Sequence, residues 1–414
     1  MDEKGLRISA KQKKRKLEGR ESKERLQCEF IIKKKNRRCP LTRKSDTLYC
    51  AEHLKQRGDS DLRVPCPIDP RHSVWTSELK SHLKKCTKLK EQALEDPWFK
   101  KDYNCCEASD GKVEEFKENY RYWIELVNRV VDAYEPLKLE QDEHEGVEER
   151  MNEKQNQKHA IQQSSLISQL DKNKLLSKDI DYIEFGCGRA ELSRYLLQSV
   201  IHKDGQPTGF ILIDRSPTRM KLDSKMAKDC EDRSLAAPNI FRAKIDIKDL
   251  YIDQIISTEF PDSKGFVAVS KHLCGAATDL TIQCILNNNQ LRDKFQGMII
   301  AMCCRHCCNY SQLHPLSKGY LLSRGIDQVG FKHLMKFASW AVNGRRPEMA
   351  SNDGADHPSG LTIGEREQLG LRARRIIDES RRYVLQSSGF TVKLCHYVTS
   401  DVSLENTCMV VTKL

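Results

Sequence analysis

The stretch Asp181-Tyr182-Ile183-Glu184-Phe185-Gly186-Cys187-Gly188-Arg189-Ala190-Glu191-Leu192 decides the fold. Its first half is apolar at Tyr182, Ile183 and Phe185, as a buried strand requires. Gly186 and Gly188 then make a turn, and Ala190 to Val200 is an uninterrupted helix-forming run. Strand, glycine turn and helix N-terminus in that order open a doubly wound sheet, and the two glycines let the backbone approach a bound group closely. A second strand, 210–214, ends in Asp214.

Departures from the known phosphate loops narrow the ligand. Glu191 stands where a dinucleotide fingerprint has its third glycine, a negative charge where a pyrophosphate would lie. Gly188 is followed by Arg189-Ala190 and not by Lys-Ser/Thr, which disfavours a nucleoside triphosphate loop. A cofactor with an adenosine and no phosphate remains, and S-adenosylmethionine has those properties. Asp214 is placed to accept both ribose hydroxyls, Glu184 to hold the charged methionyl end indirectly, and Asp246-Ile247 to meet the adenine. With Gly186, Cys187 and Gly188 they complete the expected cofactor set. The competing reading is a structural turn in some other α/β domain.

Further strands at 240–245, 265–270 and 297–302, separated by helical stretches, predict a mostly parallel sheet covered on both faces. Segments 390–397 and 406–413 read as an antiparallel pair, and Thr362 with Glu365 as a capping box for a helix over 363–386. The expected fold class is α/β, a Rossmann-like methyltransferase domain over 166–414. In such sheets ligands lie beyond the carboxyl ends of the strands. That places Lys271-His272 and the run Cys303 to Cys308 near the site. Ser270-Lys271-His272-Leu273 contains no Asp/Asn-Pro-Pro-aromatic turn of the kind that amine-methylating enzymes use on bases, which favours a hydroxyl acceptor. Lys271 would lower the hydroxyl pKa, His272 would take the proton, and His306 is a third candidate for handling it. The four cysteines at 303–308 are spaced too tightly to close a tetrahedron alone and read as small buried thiols. The loop 343–360, with Arg345-Arg346, and the arginines at 366, 372, 374, 375, 381 and 382 face either RNA or solvent.

Two small modules precede this domain. Cys28, Cys39, Cys50 and His53 form C-x10-C-x10-C-x2-H over 26–58; Cys66, His72, His82 and Cys86 form C-x5-H-x9-H-x3-C over 63–90. Each set supplies four ligands, a closed tetrahedral zinc site with no place for a reactive water, in a segment too poor in large apolar side chains to fold unaided. Ser77 to Lys85 is helix-like and sets His82 and Cys86 on one face. Lys33-Lys34-Lys35, Arg37-Arg38, Lys84-Lys85 and Lys88 surround the ligands, positioned to meet phosphates; Tyr49 can stack on a base, while Trp75 reads as the centre of its module.

Between them lie a helical bridge over 91–139, carried by Phe116, Tyr120, Trp123, Val127, Val130 and Tyr134 and ended by Pro136, and a flexible linker over 140–165. Ile161 to Leu175 reads as a helix into the first strand. Residues 1–25 form a basic disordered tail, with a nuclear-import-like patch from Lys11 to Lys16.

The 414 residues allow two or three domains, and their net charge of +11 is concentrated at the start: the first 60 residues hold 19 lysines and arginines against 9 acidic residues, a net of +10. A polyanion such as nucleic acid is the matching partner. No apolar run is long enough for a bilayer, so a soluble, intracellular protein of the nucleus or cytoplasm is expected, in which the 17 cysteines serve as thiols or ligands.

These pieces together resemble the eukaryotic Trm-thirteen family of tRNA 2'-O-methyltransferases. The resemblance rests on the CCCH set, the CHHC set, Glu184-Phe185-Gly186-Cys187-Gly188 and Lys271-His272-Leu273-Cys274-Gly275-Ala276-Ala277-Thr278-Asp279. It implies S-adenosylmethionine and two structural zinc ions as cofactors. The implied substrates are tRNAs for proline, glycine and histidine, methylated on the ribose 2'-hydroxyl of nucleotide four, cytidine or adenosine, in the acceptor stem. The chain departs from the family pattern at Met302 to Tyr310, where Arg305 and His306 stand in place of two histidines, so a role of the first histidine does not carry over to Arg305. A monomer is expected, with room for a protein partner. The alternative function is a non-catalytic RNA-binding protein acting through its CHHC finger.

Overall fold

The computed structural model describes residues 26–32, 37–50, 53–54, 56–57, 61–70, 72–83, 85–86, 96–106, 119–153, 156–216, 218, 220–343 and 357–413. It divides into two units, Met1–Asp96 and Pro97–Leu414. The expected tail 1–25, Lys33 to Lys35, Lys84, Lys88, the helical start at 112–118 with Phe116, and Arg345-Arg346 lie outside the described residues.

The second unit is built on a seven-stranded sheet: β1 (Asp181–Phe185), β2 (Phe210–Asp214), β3 (Ile240–Lys244), β4 (Phe266–Cys274), β5 (Phe295–Cys303), β6 (Phe390–His396) and β7 (Thr407–Lys413). Their order across the sheet is β6-β7-β5-β4-β1-β2-β3. All pairings among β1 to β5 are parallel, and β7 runs antiparallel to both of its neighbours. The order reverses between β1 and β4, so the crevice for a ligand opens at their carboxyl ends.

One face of the sheet is covered by α2 (Gln157–Lys172), α3 (Glu191–Asp204) and α4 (Asp223–Glu231), through Leu166, Ile167, Leu196, Val200 and Met226. The other carries α5 (Ile252–Glu259), α6 (Ala276–Asn287) and the end of α8 (Ile363–Ser387), through Ile255, Ile285, Val384 and Leu385. A third core joins α8 to α1 (Tyr120–Asp132) and α7 (Gln328–Asn343) around Leu126, Phe331, Phe337 and Ile376. Thr362 and Glu365 make the reciprocal capping box expected from their spacing. Among the described residues no helix is long and apolar enough to cross a membrane.

Two sequence expectations are corrected. The segment 140–165 is no linker: residues 145–151 form short helical turns, α2 begins at Gln157, and Gln162, Gln163, Ser164 and Ser165 are buried. Three of these polar side chains hydrogen-bond within the core: Gln163 Nε2 donates to Glu191 at 3.1 Å, Ser164 Oγ accepts from the His144 N–H at 2.8 Å, and Ser165 Oγ donates to the Tyr397 carbonyl at 2.5 Å. Nor are all the arginines of α8 at the surface. Arg374 and Arg381 are buried, and with Arg305 they meet Asp279, Asp378 and Glu405 at 2.6–3.0 Å, three positive groups against three negative ones.

Candidate active site

Glu184 sits at the end of β1, 4% exposed, and its Oε2 accepts from the Ser193 N–H at 3.2 Å and the Ser193 hydroxyl at 2.5 Å. It fixes the first turn of α3 to the sheet without lining the crevice. Burial pushes its carboxyl up to about 7. Gly186 and Gly188 follow at φ +67° and +48°, left-handed values that glycine adopts without strain. A side chain at Gly186 would meet the His272 carbonyl at 3.0 Å, so glycine is what lets the ends of β1 and β4 close together.

Cys187 is turned away from the crevice: its Sγ accepts from Arg242 at 2.9 Å, and burial raises its thiol pKa. Arg242, on β3, also donates to the Gly188 carbonyl at 2.9 Å and pairs with Asp223 at 2.6 Å. This clamp on the glycine turn carries no local sequence signal. The Cys187 side chain thus serves the packing of the turn, and what the residue presents toward the crevice is its backbone. Asp214 completes the loop, with Oδ2 accepting from the Gly188 N–H at 2.8 Å and Oδ1 from the Ser216 N–H at 2.7 Å. Each carboxylate oxygen keeps a lone pair for a further donor.

A cavity of about 530 Å³ opens beyond these strand ends. Gly186, Asp214, Asp246, Ile247, His272 and Cys274 lie on its wall. Asp246 accepts from the Lys248 N–H at 3.1 Å through Oδ1, and its Oδ2 is 4.0 Å from Arg215. S-adenosylmethionine fits this set. The Asp214 lone pairs suit a ribose diol, Asp246 an adenine amino group, Ile247 the base face, and the glycine turn a close backbone approach.

Lys271 and His272, adjacent in sequence, are placed apart. β4 was expected to end at 270, with both residues on the following loop; it runs on to Cys274. Between Ser270, paired with Ile300, and Leu273, paired with Met302, β4 has one residue more than β5, a bulge at Lys271-His272. His272 is exposed on the cavity wall, whereas Lys271 is buried on the α2 side, its Nζ 2.6 Å from His159 Nδ1. Burial brings the Lys271 ammonium down to about 8. His159 belongs to the segment read as linker, which is why sequence reasoning passed over it. Its ring lies 6.3 Å from that of His272.

His306 does not join them. The chain turns at Cys304 into a short helical turn, Arg305–Cys307, in which Arg305 is fully buried and Cys307, not His306, lines the cavity. Arg305 donates to Asp378, Glu405 and the Met302 carbonyl, an internal anchor that is not on the wall of the cavity at these strand ends.

In the first unit both ligand sets converge. Cys28, Cys39, Cys50 and His53 bring their ligand atoms within 4.8 Å of one another, as do Cys66, His72, His82 and Cys86. The cysteines are buried, Cys39 Sγ and Cys50 Sγ are 4.0 Å apart, and Cys66 Sγ and Cys86 Sγ 3.8 Å. His53 uses Nδ1 and stacks on Phe30; His72 and His82 present Nε2, with Asp69 3.7 Å from His72 Nδ1 to orient its ring. Leu79–Leu83 is the helix that carries His82, and Trp75 is buried as the module's centre, under Arg63. These are structural zinc sites, four protein ligands each.

Residues 161–412 match the family described as Methyltransferase TRM13. The chain belongs to that family. Residues 26–54 match the CCCH zinc finger of TRM13 proteins, and 63–87 the U11-48K-like CHHC zinc finger. Proteins named tRNA:m(4)X modification enzyme TRM13 are similar over nearly the whole chain. The one from Debaryomyces hansenii is 44% identical, covering 97% of this chain and 95% of its own. Those from Saccharomyces cerevisiae and Schizosaccharomyces pombe are 38% and 36% identical, covering 94% and 88% of this chain and 96% and 98% of their own. A solved cyclopropane-fatty-acyl-phospholipid synthase-like protein from Lactobacillus casei overlaps with 9% identity and a TM-score of 0.28, covering 71% of this chain and 98% of that one, too distant to bear on the site.

Proposed function

We propose that this chain transfers a methyl group from S-adenosylmethionine to the ribose 2'-hydroxyl of nucleotide four in a tRNA acceptor stem. The observation that carries the reading is the cavity wall shared by Gly186, Asp214 and His272, which sets a proton-accepting ring against an adenosine-sized site. The names of the TRM13 relatives supply the substrate class.

When bound, S-adenosylmethionine supplies a methyl group open to displacement in line with its sulfur. Asp214, Asp246 and Ile247 hold the adenosine half, and Gly186 lets it lie against the turn. His272 takes the hydroxyl proton as the acceptor oxygen is held opposite the methyl group. Lys271, behind the bulge, favours the developing alkoxide by its charge. That charge is set among His159 on α2, Arg150 on the turn 148–151, Glu191 at the start of α3, Glu184 on β1 and His272 beside it. The zinc fingers and the basic N-terminal segment contact tRNA phosphates, which fix register where the deep major groove of an RNA duplex hides base edges. The tRNAs for proline, glycine and histidine are the expected acceptors, met in the nucleus or cytoplasm.

Incubation of the purified chain with labelled cofactor and tRNA is expected to place label on a ribose oxygen of nucleotide four. Label on a base nitrogen overturns the reading. No heat of S-adenosylmethionine binding, with zinc content intact, would instead favour an RNA-binding protein working through its CHHC finger. His272→Ala is expected to lower kcat/KM by roughly 10²–10⁴-fold while cofactor affinity holds. The Lys271 charge is present below about pH 8 and lost above it. The rate is therefore expected to fall on the alkaline side near pH 8, and Lys271→Arg, charged throughout, to carry that limb to higher pH.

A further inference from the structure

The run from Cys303 to Cys308 has no part in the chemistry above, and in chain order its thiols crowd too closely to surround an ion. The fold adds a ligand from 29 residues away. Cys274 ends β4 and pairs in register with Cys303, which ends β5, and their Sγ atoms are 3.3 Å apart. Cys304 follows at φ +48°, a strained conformation for a residue other than glycine. Its N–H donates to Glu405 Oε1 at 3.2 Å, and the buried Arg305 next to it is tied to Asp378 and Glu405, so the turn is held from both sides. The three Sγ atoms lie within 4.8 Å of one another, the same convergence that marks the two finger sets.

We infer that Cys274, Cys303 and Cys304 bind a third, thiophilic divalent ion, zinc, at the carboxyl ends of β4 and β5. Three sulfur ligands select such an ion over magnesium or calcium, which require oxygen. Each thiol gives up its proton on binding. Access is open, since Cys274 is exposed and Cys304 half-buried while Cys303 anchors the site from within. Because Cys274 also lines the cavity, the fourth position belongs to a water there. The ion ties two parallel strands together two residues beyond His272 and so holds the cavity wall on the acceptor side. A different distribution of the same residue types would not do this: Cys308 is turned inward to Arg381, 3.0 Å away, and Cys307 stands outside the converging group.

The full chain, purified under a thiol reductant, is expected to carry about three zinc ions by mass spectrometry, counting the two finger sites. Cys274→Ser, at an exposed position, should carry about two and keep the wild-type circular dichroism; Cys307→Ser should keep all three. A second measurement needs no variant. Cobalt(II) titration of the metal-free wild type should add a sulfur-to-cobalt absorption band in three steps, the last-bound equivalent being the first released to a weak chelator. Two zinc ions per wild-type chain, zinc loss from Cys307→Ser, or a titration that ends after two steps each overturns the site. None of these readouts requires methyl transfer, so they stand or fall apart from the proposed reaction.

Discussion

Glu184 shows how one buried side chain couples the methyl-donor loop to pH. Its folded pKa of about 7 lies above the ordinary value of 4.5 because burial penalises the charged form, partly offset by the two bonds from Ser193. Below about pH 4.5 the group is protonated in both folded and unfolded chains, and its contribution to stability is fully present. That contribution is lost as pH rises through about 7, where the folded state must carry a buried charge. The difference is of order 3 kcal/mol. Thermal unfolding without cofactor should therefore shift down by several degrees between pH 5.5 and pH 8, and Glu184→Gln should remove most of that slope. An unchanged slope would mean that Glu184 is solvated. Arg242 belongs at the same scale. Nothing in Ile240 to Ile245 singles out one arginine as the clamp on Gly188, since its partners Cys187 and Asp223 lie on other elements.

At the scale of elements, most strands and helices were legible because period and punctuation survive in the local sequence. The capped α8 and the antiparallel β6–β7 pair fall where the pattern put them. The failure at 140–165 has a clear cause: Gln162, Gln163, Ser164 and Ser165 are polar yet buried, and Gln163, Ser164 and Ser165 find hydrogen-bond partners inside the fold where their composition suggests solvent. A linker would tolerate charge there. Ser165→Asp would place an unpaired carboxylate against the Tyr397 carbonyl and is expected to cost about 3 kcal/mol, measured as a lower urea midpoint with an unchanged slope. A neutral result would restore the linker. The bulge in β4 is likewise invisible in Ser270-Lys271-His272-Leu273, because a bulge is defined by counting against the partner strand.

For the whole molecule, metal and charge divide the labour. The first unit takes much of its folding energy from zinc, whereas Pro97–Leu414 holds three hydrophobic cores of its own. Removing zinc with a strong chelator should abolish the near-native dispersion and protease resistance of the first unit while the second keeps a cooperative thermal transition. Cofactor binding, read by calorimetry, should survive, and tRNA affinity should fall. Collapse of cofactor binding in a Cys28→Ser, Cys66→Ser double variant, which disrupts the fingers and leaves Cys274, Cys303 and Cys304 intact, would show that the donor site depends on the fingers. The net of +10 over the first 60 residues further predicts that the logarithm of tRNA affinity declines linearly with the logarithm of salt concentration.

The sequence by itself determined the zinc ligands, the glycine turn, Asp214, Asp246 and the alternation of strands and helices, since each depends on spacing within one short segment. Tertiary structure alone decided that His272 faces the cavity while Lys271 faces His159, that Arg305, Arg374 and Arg381 are internal, and that Cys274 meets Cys303 and Cys304. The physical reason is register: which way a strand side chain points, and which distant residue it meets, is fixed by the neighbouring strand's hydrogen bonds and not by the residues beside it in the chain.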